Sequence, residues 1–296
     1  MADKDFKIGF IGLGVMGYPM AGHLHRAGLD VLAWNRSPER ATAWASEYNG
    51  RASSDLNDLT DCNLIISCIG KDDDLLSVFS GKEGLLARLP EGAIVVDHTT
   101  ASATVARQLA QEAEHLGKSF LDAPISGGQQ GAENGQLTIM CGGDNATFDR
   151  VKPVLAHYGR AVTLMGPSGA GQLTKMCNQI AIGGLLQALS ESIHFAETSG
   201  LDVHQVIDVI SKGAAQSWQM ENRGHTMADG RFDFGFAVEL MRKDLRICLE
   251  QARELGASLP VTAQVDQYYA DVEALGGRRW DTSSLIQRLR ALHPED

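Results

Sequence analysis

Lys7-Ile8-Gly9-Phe10-Ile11-Gly12-Leu13-Gly14-Val15-Met16-Gly17 is the stretch on which the fold turns. An apolar, strand-like run enters G-x-G-x-x-G, and a helix-like segment, Pro19–Ala27, follows it. The glycine string alone is a weak signal. Placed after a strand and before a helix, it reads as the phosphate loop of a dinucleotide-binding βαβ unit. Gly12 permits the tight turn, Gly14 lets the backbone approach a pyrophosphate, and Gly17 lets the helix pack close to the strand. The helix N-terminus adds N–H groups and a partial positive charge, so residues Gly12, Leu13, Gly14, Val15, Met16 and Gly17 form the expected cofactor loop. A glycine-rich turn with no ligand is the alternative.

Outward from this loop, short apolar runs recur at Phe6–Ile11, Val31–Trp34, Leu64–Cys68, Ile94–Asp97, Phe120–Asp122, Leu137–Cys141 and Val162–Met165. Helix-like stretches such as Pro38–Tyr48 and Ala101–Leu116 lie between several of them. That rhythm implies βαβ units and a mainly parallel sheet covered on both faces. After the breaker cluster Gly166-Pro167-Ser168-Gly169-Ala170-Gly171 the pattern changes. Gln172 to Ser199 contains no proline and is apolar on nearly every side through Ile180–Ala188, so it is expected to be buried among helices or in a subunit interface. Val203–Ser211, Phe236–Glu254, Val261–Leu275 and Ser284–Leu292 also read as helices. The expected fold is α/β. A doubly wound Rossmann domain over residues 1–165 precedes an all-helical substrate and oligomerisation domain over 166–296, joined by a long inter-domain helix.

The strand ends point to the cofactor type. Where an NAD-selective site carries an acid for the ribose hydroxyls, this chain has Asn35, followed by Arg36 and Ser37. An acid would repel a 2′-phosphate, whereas a guanidinium grips one. NADP is therefore preferred over NAD; a solvated Arg36 and acceptance of both cofactors is the alternative. Ligands of open α/β sheets sit beyond the carboxyl ends of strands, which places Thr100, after Val95-Val96-Asp97, and Ile69, after Cys68, towards the cofactor. Thr99, Thr100 or Ser102 also suits a helix cap.

Asp122-Ala123-Pro124-Ile125-Ser126-Gly127-Gly128 follows another strand. Its serine hydroxyl and glycine N–H groups can hold a carboxylate, though an ordinary Gly-Gly turn looks the same. Lys175 lies in the first turns of the long helix, where a cation opposes the helix dipole. Desolvation there would lower its pKa and suit it to proton transfer. Asn178 and Gln179 share its face, and Gly171, one turn before, leaves room for a ligand near the backbone. The alternative is a lysine that snorkels to solvent. Lys243-Asp244 reads either as a cofactor contact or as a surface pair of charges.

The chain has 296 residues, enough for two domains, and a net charge of -11, which argues against nucleic acid or an anionic membrane as partner. No apolar run is long enough to span a membrane, and Met1 to Lys7 is polar and shows no signal peptide. Cys62, Cys68, Cys141, Cys177 and Cys248 form no CxxC pair and read as small buried hydrophobes in a reduced, cytoplasmic setting. The histidines show no metal spacing, so no catalytic metal is expected.

Four stretches together resemble the β-hydroxyacid dehydrogenase family, which includes 3-hydroxyisobutyrate dehydrogenases, tartronate semialdehyde reductases and glyoxylate/succinic semialdehyde reductases. They are Gly9 to Gly17, Asp122 to Gly128, Gly169-Ala170-Gly171-Gln172-Leu173-Thr174-Lys175-Met176-Cys177-Asn178-Gln179, and Lys243-Asp244-Leu245, in the family's order. The resemblance implies an NAD(P)-dependent oxidoreductase acting on a small carboxylate-bearing hydroxy acid or its semialdehyde. It implies that Lys175 is the catalytic acid/base and that Ser126, Gly127 and Gly128 hold the substrate carboxylate. Asn178, beside Gln179, would orient the reacting oxygen, Lys243 would lie near the cofactor, and a homodimer or homotetramer would form through the long helix. Asn35-Arg36-Ser37 departs from the acidic ending of the NAD-selective members and is similar to the NADP-using reductases. An imine reductase shares a similar fold but usually lacks a lysine at this helix position. A non-catalytic NADP-binding module would be expected to have lost Lys175 or the Ser126 glycines.

Overall fold

The structure, a computed structural model, describes residues 5–292. Residues 1–4 and 293–296, and with them part of the polar Met1–Lys7 stretch, lie outside the described residues. The chain divides into two compact units, one ending at Lys175 and one beginning at Met176.

In the first unit the elements are β1 (Lys7–Ile11), α1 (Gly17–Arg26), β2 (Asp30–Trp34), α2 (Pro38–Tyr48), β3 (Arg51–Ser53), β4 (Leu64–Ser67), α3 (Asp72–Phe79), α4 (Leu85–Arg88), β5 (Ile94–Asp97), α5 (Ala103–His115), β6 (Ser119–Asp122), β7 (Ile125–Ser126), α6 (Gly128–Glu133), β8 (Leu137–Gly142), α7 (Asn145–Leu155), β9 (Gly159–Gly166) and the start of α8 (Ala170–Thr198). Strands β3-β2-β1-β4-β5-β6 are adjacent in that order and parallel. β8 runs antiparallel to β6 and β7, and β9 pairs with it in parallel. β4 and β5 are buried at every residue, as strands covered on both faces must be. Their side chains alternate between two cores. Ile8, Phe10, Ile66 and Val96 pack with Met20, Leu24 and Trp44 on one face. Ile11, Ile65 and Val95 pack with Phe79, Val105 and Leu109 on the other.

In the second unit, α8 continues and is joined by α9 (Val203–Ile210), α10 (Trp218–Ala228), α11 (Val238–Leu255), α12 (Pro260–Ala274) and α13 (Leu285–Leu292). Leu186 of α8 packs with Val238, Met241, Leu245, Val265 and Tyr269, and Leu189 and Ile193 pack with Ile207, Met220, Met227 and Ile286. α10 escapes a reading by periodicity because its buried stripe is only Met220, Gly224 and Met227. α11 starts at Val238 rather than Phe236, since Ala237 is extended and bridges to Asp281. α8 departs from full burial: Cys177, Ala181, Ala188 and Phe195 lie exposed along it.

Candidate active site

The glycine loop is shaped by close backbone approach. Gly12 has φ 96°, and a Cβ there would lie 2.2 Å from the Cys68 carbonyl oxygen. A Cβ on Gly17 would lie 1.9 Å from the Gly12 carbonyl oxygen, so any larger residue forces α1 away from β1. A Cβ on Gly14 would meet nothing, and Gly14 and Val15 are exposed. No side chain caps α1 at Met16, and its first turn carries no acid. An open cradle at an uncapped helix N-terminus fits a pyrophosphate.

Asn35 has a part within the protein that the sequence does not show. Its Oδ1 accepts from the Leu13 N–H at 2.8 Å, and its Nδ2 donates to the Ser37 carbonyl at 3.1 Å. It braces the glycine loop against the end of β2. Arg40, from the first turn of α2, also holds the loop, donating to the Leu13 carbonyl at 3.1 Å. Arg36 is 86% exposed and meets Asp74 at 3.4 Å, a weak surface pair in water. Ser37 is exposed beside it.

At the ends of β4, β5 and β6 lies a buried polar network. The Asp97 carboxyl oxygen Oδ1 accepts from the Ser67 hydroxyl at 2.7 Å and from the Thr99 hydroxyl at 2.7 Å. Thr99 Oγ1 in turn accepts from the Ile69 N–H at 3.0 Å. Burial pushes the Asp97 carboxyl up to about 7 against the pull of these hydrogen bonds. Ser102 caps α5, accepting from the Val105 N–H. Of the three hydroxyls in this loop, Thr99 is therefore the internal tie and Ser102 the cap, while Thr100 is half-buried between them.

Asp122 faces the start of α8. Its Oδ1 accepts from the Gly169 N–H at 2.7 Å and its Oδ2 from the Gln172 N–H at 2.9 Å. Burial raises its pKa, opposed by these backbone donors. Gly171 does not leave room for a ligand, as read from the sequence. A Cβ there would lie 2.3 Å from the Met140 carbonyl oxygen and 2.8 Å from Asp122, so this glycine lets the helix dock on the sheet. Lys175 is 7% exposed at the end of this first stretch of α8. Ser126 is half-buried, and Gly127 and Gly128, at φ 133° and 63°, form an exposed turn that only glycine adopts easily. Ser126, Ile69, Thr100, Asn35 and the glycine loop all follow the carboxyl ends of parallel strands, where this sheet type holds its ligands.

Within the second unit, Asn178, Gln179 and Lys243 are drawn together by Asp244, which is 1% exposed. Gln179 Nε2 donates to Asp244 Oδ2 at 2.7 Å, Asn178 Nδ2 donates to Gln179 Oε1 at 2.8 Å, and Lys243 Nζ lies 3.2 Å from Asp244 Oδ1. A surface pair of charges, one of the two readings of Lys243-Asp244, is thus replaced by a buried carboxylate that meets both Gln179 and Lys243. Sequence reading missed the parts played by Asp97, Asp122, Gln172 and Asp244. Only Asp122, opening its strand-end stretch, carried a usable signal. Cys177 is exposed, unlike Cys62, Cys141 and Cys248. Among the described residues no group of three or more His, Cys, Asp or Glu is placed to hold a metal ion.

Known proteins match nearly the whole chain. Residues 7–166 match the family described as the NAD binding domain of 6-phosphogluconate dehydrogenase. Residues 169–289 match the NAD-binding family of NADP-dependent 3-hydroxyisobutyrate dehydrogenase. An uncharacterized oxidoreductase of Shewanella frigidimarina is 57% identical over 96% of this chain and 98% of its own length. The 2-hydroxy-3-oxopropionate reductase of Escherichia coli is 34% identical over 97% of this chain and 98% of its own. The structure of Mycobacterium tuberculosis 3-hydroxyisobutyrate dehydrogenase with L-serine superposes with a TM-score of 0.86 at 29% identity, covering 96% of this chain and 98% of that one. The chain belongs to the β-hydroxyacid dehydrogenase family and is an NAD(P)-binding oxidoreductase.

Proposed function

We propose that this enzyme reduces a small semialdehyde, or oxidises the matching β-hydroxy acid, with NADPH preferred over NADH and Lys175 as general acid/base. The burial of Lys175 in the first turns of α8 carries this reading. It lies in the same unit as the glycine cradle and the exposed Ser126-Gly127-Gly128 turn. The substrate carboxylate docks on the Ser126 hydroxyl and the N–H groups of Gly127 and Gly128. A nicotinamide cofactor, when bound, supplies or takes the hydride. Lys175 Nζ gives a proton to the substrate oxygen in reduction and removes it in oxidation. Asn178, three residues along the same helix, orients that oxygen, and Gln179 holds Asn178 in place. The NADPH preference rests on the missing acid after β2, on the exposed guanidinium of Arg36 beside Ser37, and on the NADP-dependent family that the second half matches.

The names of the relatives support a substrate that is a short carboxylate bearing a hydroxyl or an oxo group. None of the five cysteines is in a disulfide, which suits work in the cytoplasm. The exposed apolar line on α8 suits a homodimer or homotetramer. The deciding assay is reduction of succinic semialdehyde, glyoxylate, tartronate semialdehyde and methylmalonate semialdehyde with NADPH and with NADH. Lys175→Ala should lower kcat by about 10²–10⁴-fold, the scale of positioned proton transfer. Near-normal turnover in that variant refutes the assignment.

A further inference from the structure

We infer that Gln172 is a positioning residue: its side-chain amide locks the loop carrying Thr100 to the helix carrying Lys175, and so sets the spacing between the cofactor-facing loop and the proton-transfer group. This rests on the reading of Lys175 given above. Gln172 is 1% exposed, and both of its amide groups are engaged. Oε1 accepts from the Ala101 N–H at 3.1 Å, and Nε2 donates to the Thr99 carbonyl at 2.8 Å. Those two backbone groups flank Thr100. The orientation of the amide is decided by its partners, since a carbonyl can only accept and an N–H can only donate.

This fork is not needed to finish the helix. Asp122 already takes the Gln172 N–H and the Gly169 N–H at the start of α8. The side chain instead satisfies the loop after β5, which Thr99 ties to Asp97 and to the Ile69 N–H. The loops after β4 and β5 and the first turn of α8 thus form one hydrogen-bonded block. Lys175 lies three residues beyond Gln172, on the same face of the helix. A buried amide with two satisfied partners specifies one distance, where an apolar side chain of the same size would permit several.

The test measures kcat, the NADPH dissociation constant and thermal stability for Gln172→Leu, Lys175→Ala and the double variant. The substrate is whichever of the four aldehydes above wild type turns over best. Gln172→Leu should lower kcat about 10- to 100-fold, as small misplacements of reacting groups do, with NADPH affinity changed only a few-fold. The double variant should be no slower than Lys175→Ala, because Gln172 acts through the placement of that lysine. An unchanged kcat in Gln172→Leu overturns the inference, and so does a double variant slowed by the full product of the two single losses. Near-normal turnover in Lys175→Ala overturns the proton-transfer reading itself, and is seen in that single variant. If Gln172→Leu does not fold, Gln172→Glu carries the test. Its protonated acid donates to the Thr99 carbonyl as the amide does, and its carboxylate does not. Its kcat relative to wild type should therefore rise as the pH falls, and a ratio flat in pH overturns the inference.

Discussion

His98 lies wholly buried between a carbonyl and a phenol. Its Nδ1 is 2.6 Å from the Ala123 carbonyl, which only accepts, so Nδ1 carries the hydrogen. Its Nε2, 2.8 Å from Tyr158, accepts from that hydroxyl. A second proton would have to displace the phenol hydrogen in a medium that disfavours charge, and burial pulls the pKa from 6.5 down to about 4. The unfolded chain therefore binds a proton between those values and the folded chain does not, so stability is lost as the pH falls from 6.5 towards 4. Asp97, its neighbour, has the opposite sign. The folded chain keeps a proton up to about 7 that the unfolded chain releases near 3.8, so this contribution is lost as the pH rises through that window. The two windows overlap, and there the two slopes oppose each other, so single variants are needed to separate them. Relative to wild type, the urea midpoint of His98→Gln should fall as the pH rises through the shared window, and that of Asp97→Asn should fall as the pH drops through it. A His98→Gln midpoint that keeps a constant offset from wild type across the window would place the acid sensitivity elsewhere. The tight approach at Gly12 and Gly17 and the burial of Lys175 have local causes, a turn and a cation in an apolar helix, that a sequence can signal. Asp97 and His98 carry no such signal, because their titration depends on groups from other strands.

At the scale of the element, α8 begins as a helix pressed backbone to backbone against the sheet. Gly142 pairs with Asp122 across β8 and β6, and a Cβ on Gly142 would lie 2.6 Å from the Asp122 carboxyl oxygen and 2.7 Å from the Gly171 N. The run Gly169-Ala170-Gly171 reads in the sequence as a breaker, but only Gly169, at φ 89°, lies before the helix, and Ala170 and Gly171 are already in the first turn of α8. The run's second duty, letting Asp122 cap the helix at close range, needs the antiparallel β8 that the periodicity does not reveal. Gly171→Ala should push α8 off the Met140 carbonyl and cost about 1–3 kcal/mol or more, the usual range for overpacking. The urea midpoint should fall, and kcat should fall with it because Lys175 rides on the same turn. A variant with wild-type stability would show that the helix start has slack to give.

Across the whole molecule, the unresolved demand is the apolar line on α8. Ala181, Ala188 and Phe195 recur at seven-residue spacing on one face, and Phe195 is 71% exposed. If copies of the chain associate through this face, Phe195→Glu should weaken the oligomer, shifting the mass seen by sedimentation at micromolar protein towards that of a single chain. An unchanged mass would exclude this face from the interface. No helix among the described residues is long and apolar enough to cross a membrane, so the line is not read as a span. The sequence by itself determined the alternation of strand and helix, the glycine loop and its helix, the switch to an all-helical second half, and a lysine set in the first turns of an apolar helix. These follow from short-range causes: side-chain period, glycine's lack of a Cβ, and a cation set against a helix dipole. The tertiary structure alone decided that β8 runs antiparallel, that Gly171 meets the sheet rather than a ligand, that Asn35 braces the loop, and that Gln172 grips the chain on either side of Thr100. Which carbonyl or N–H a buried polar group meets depends on the order in which distant strands are laid side by side, and no local pattern encodes that order.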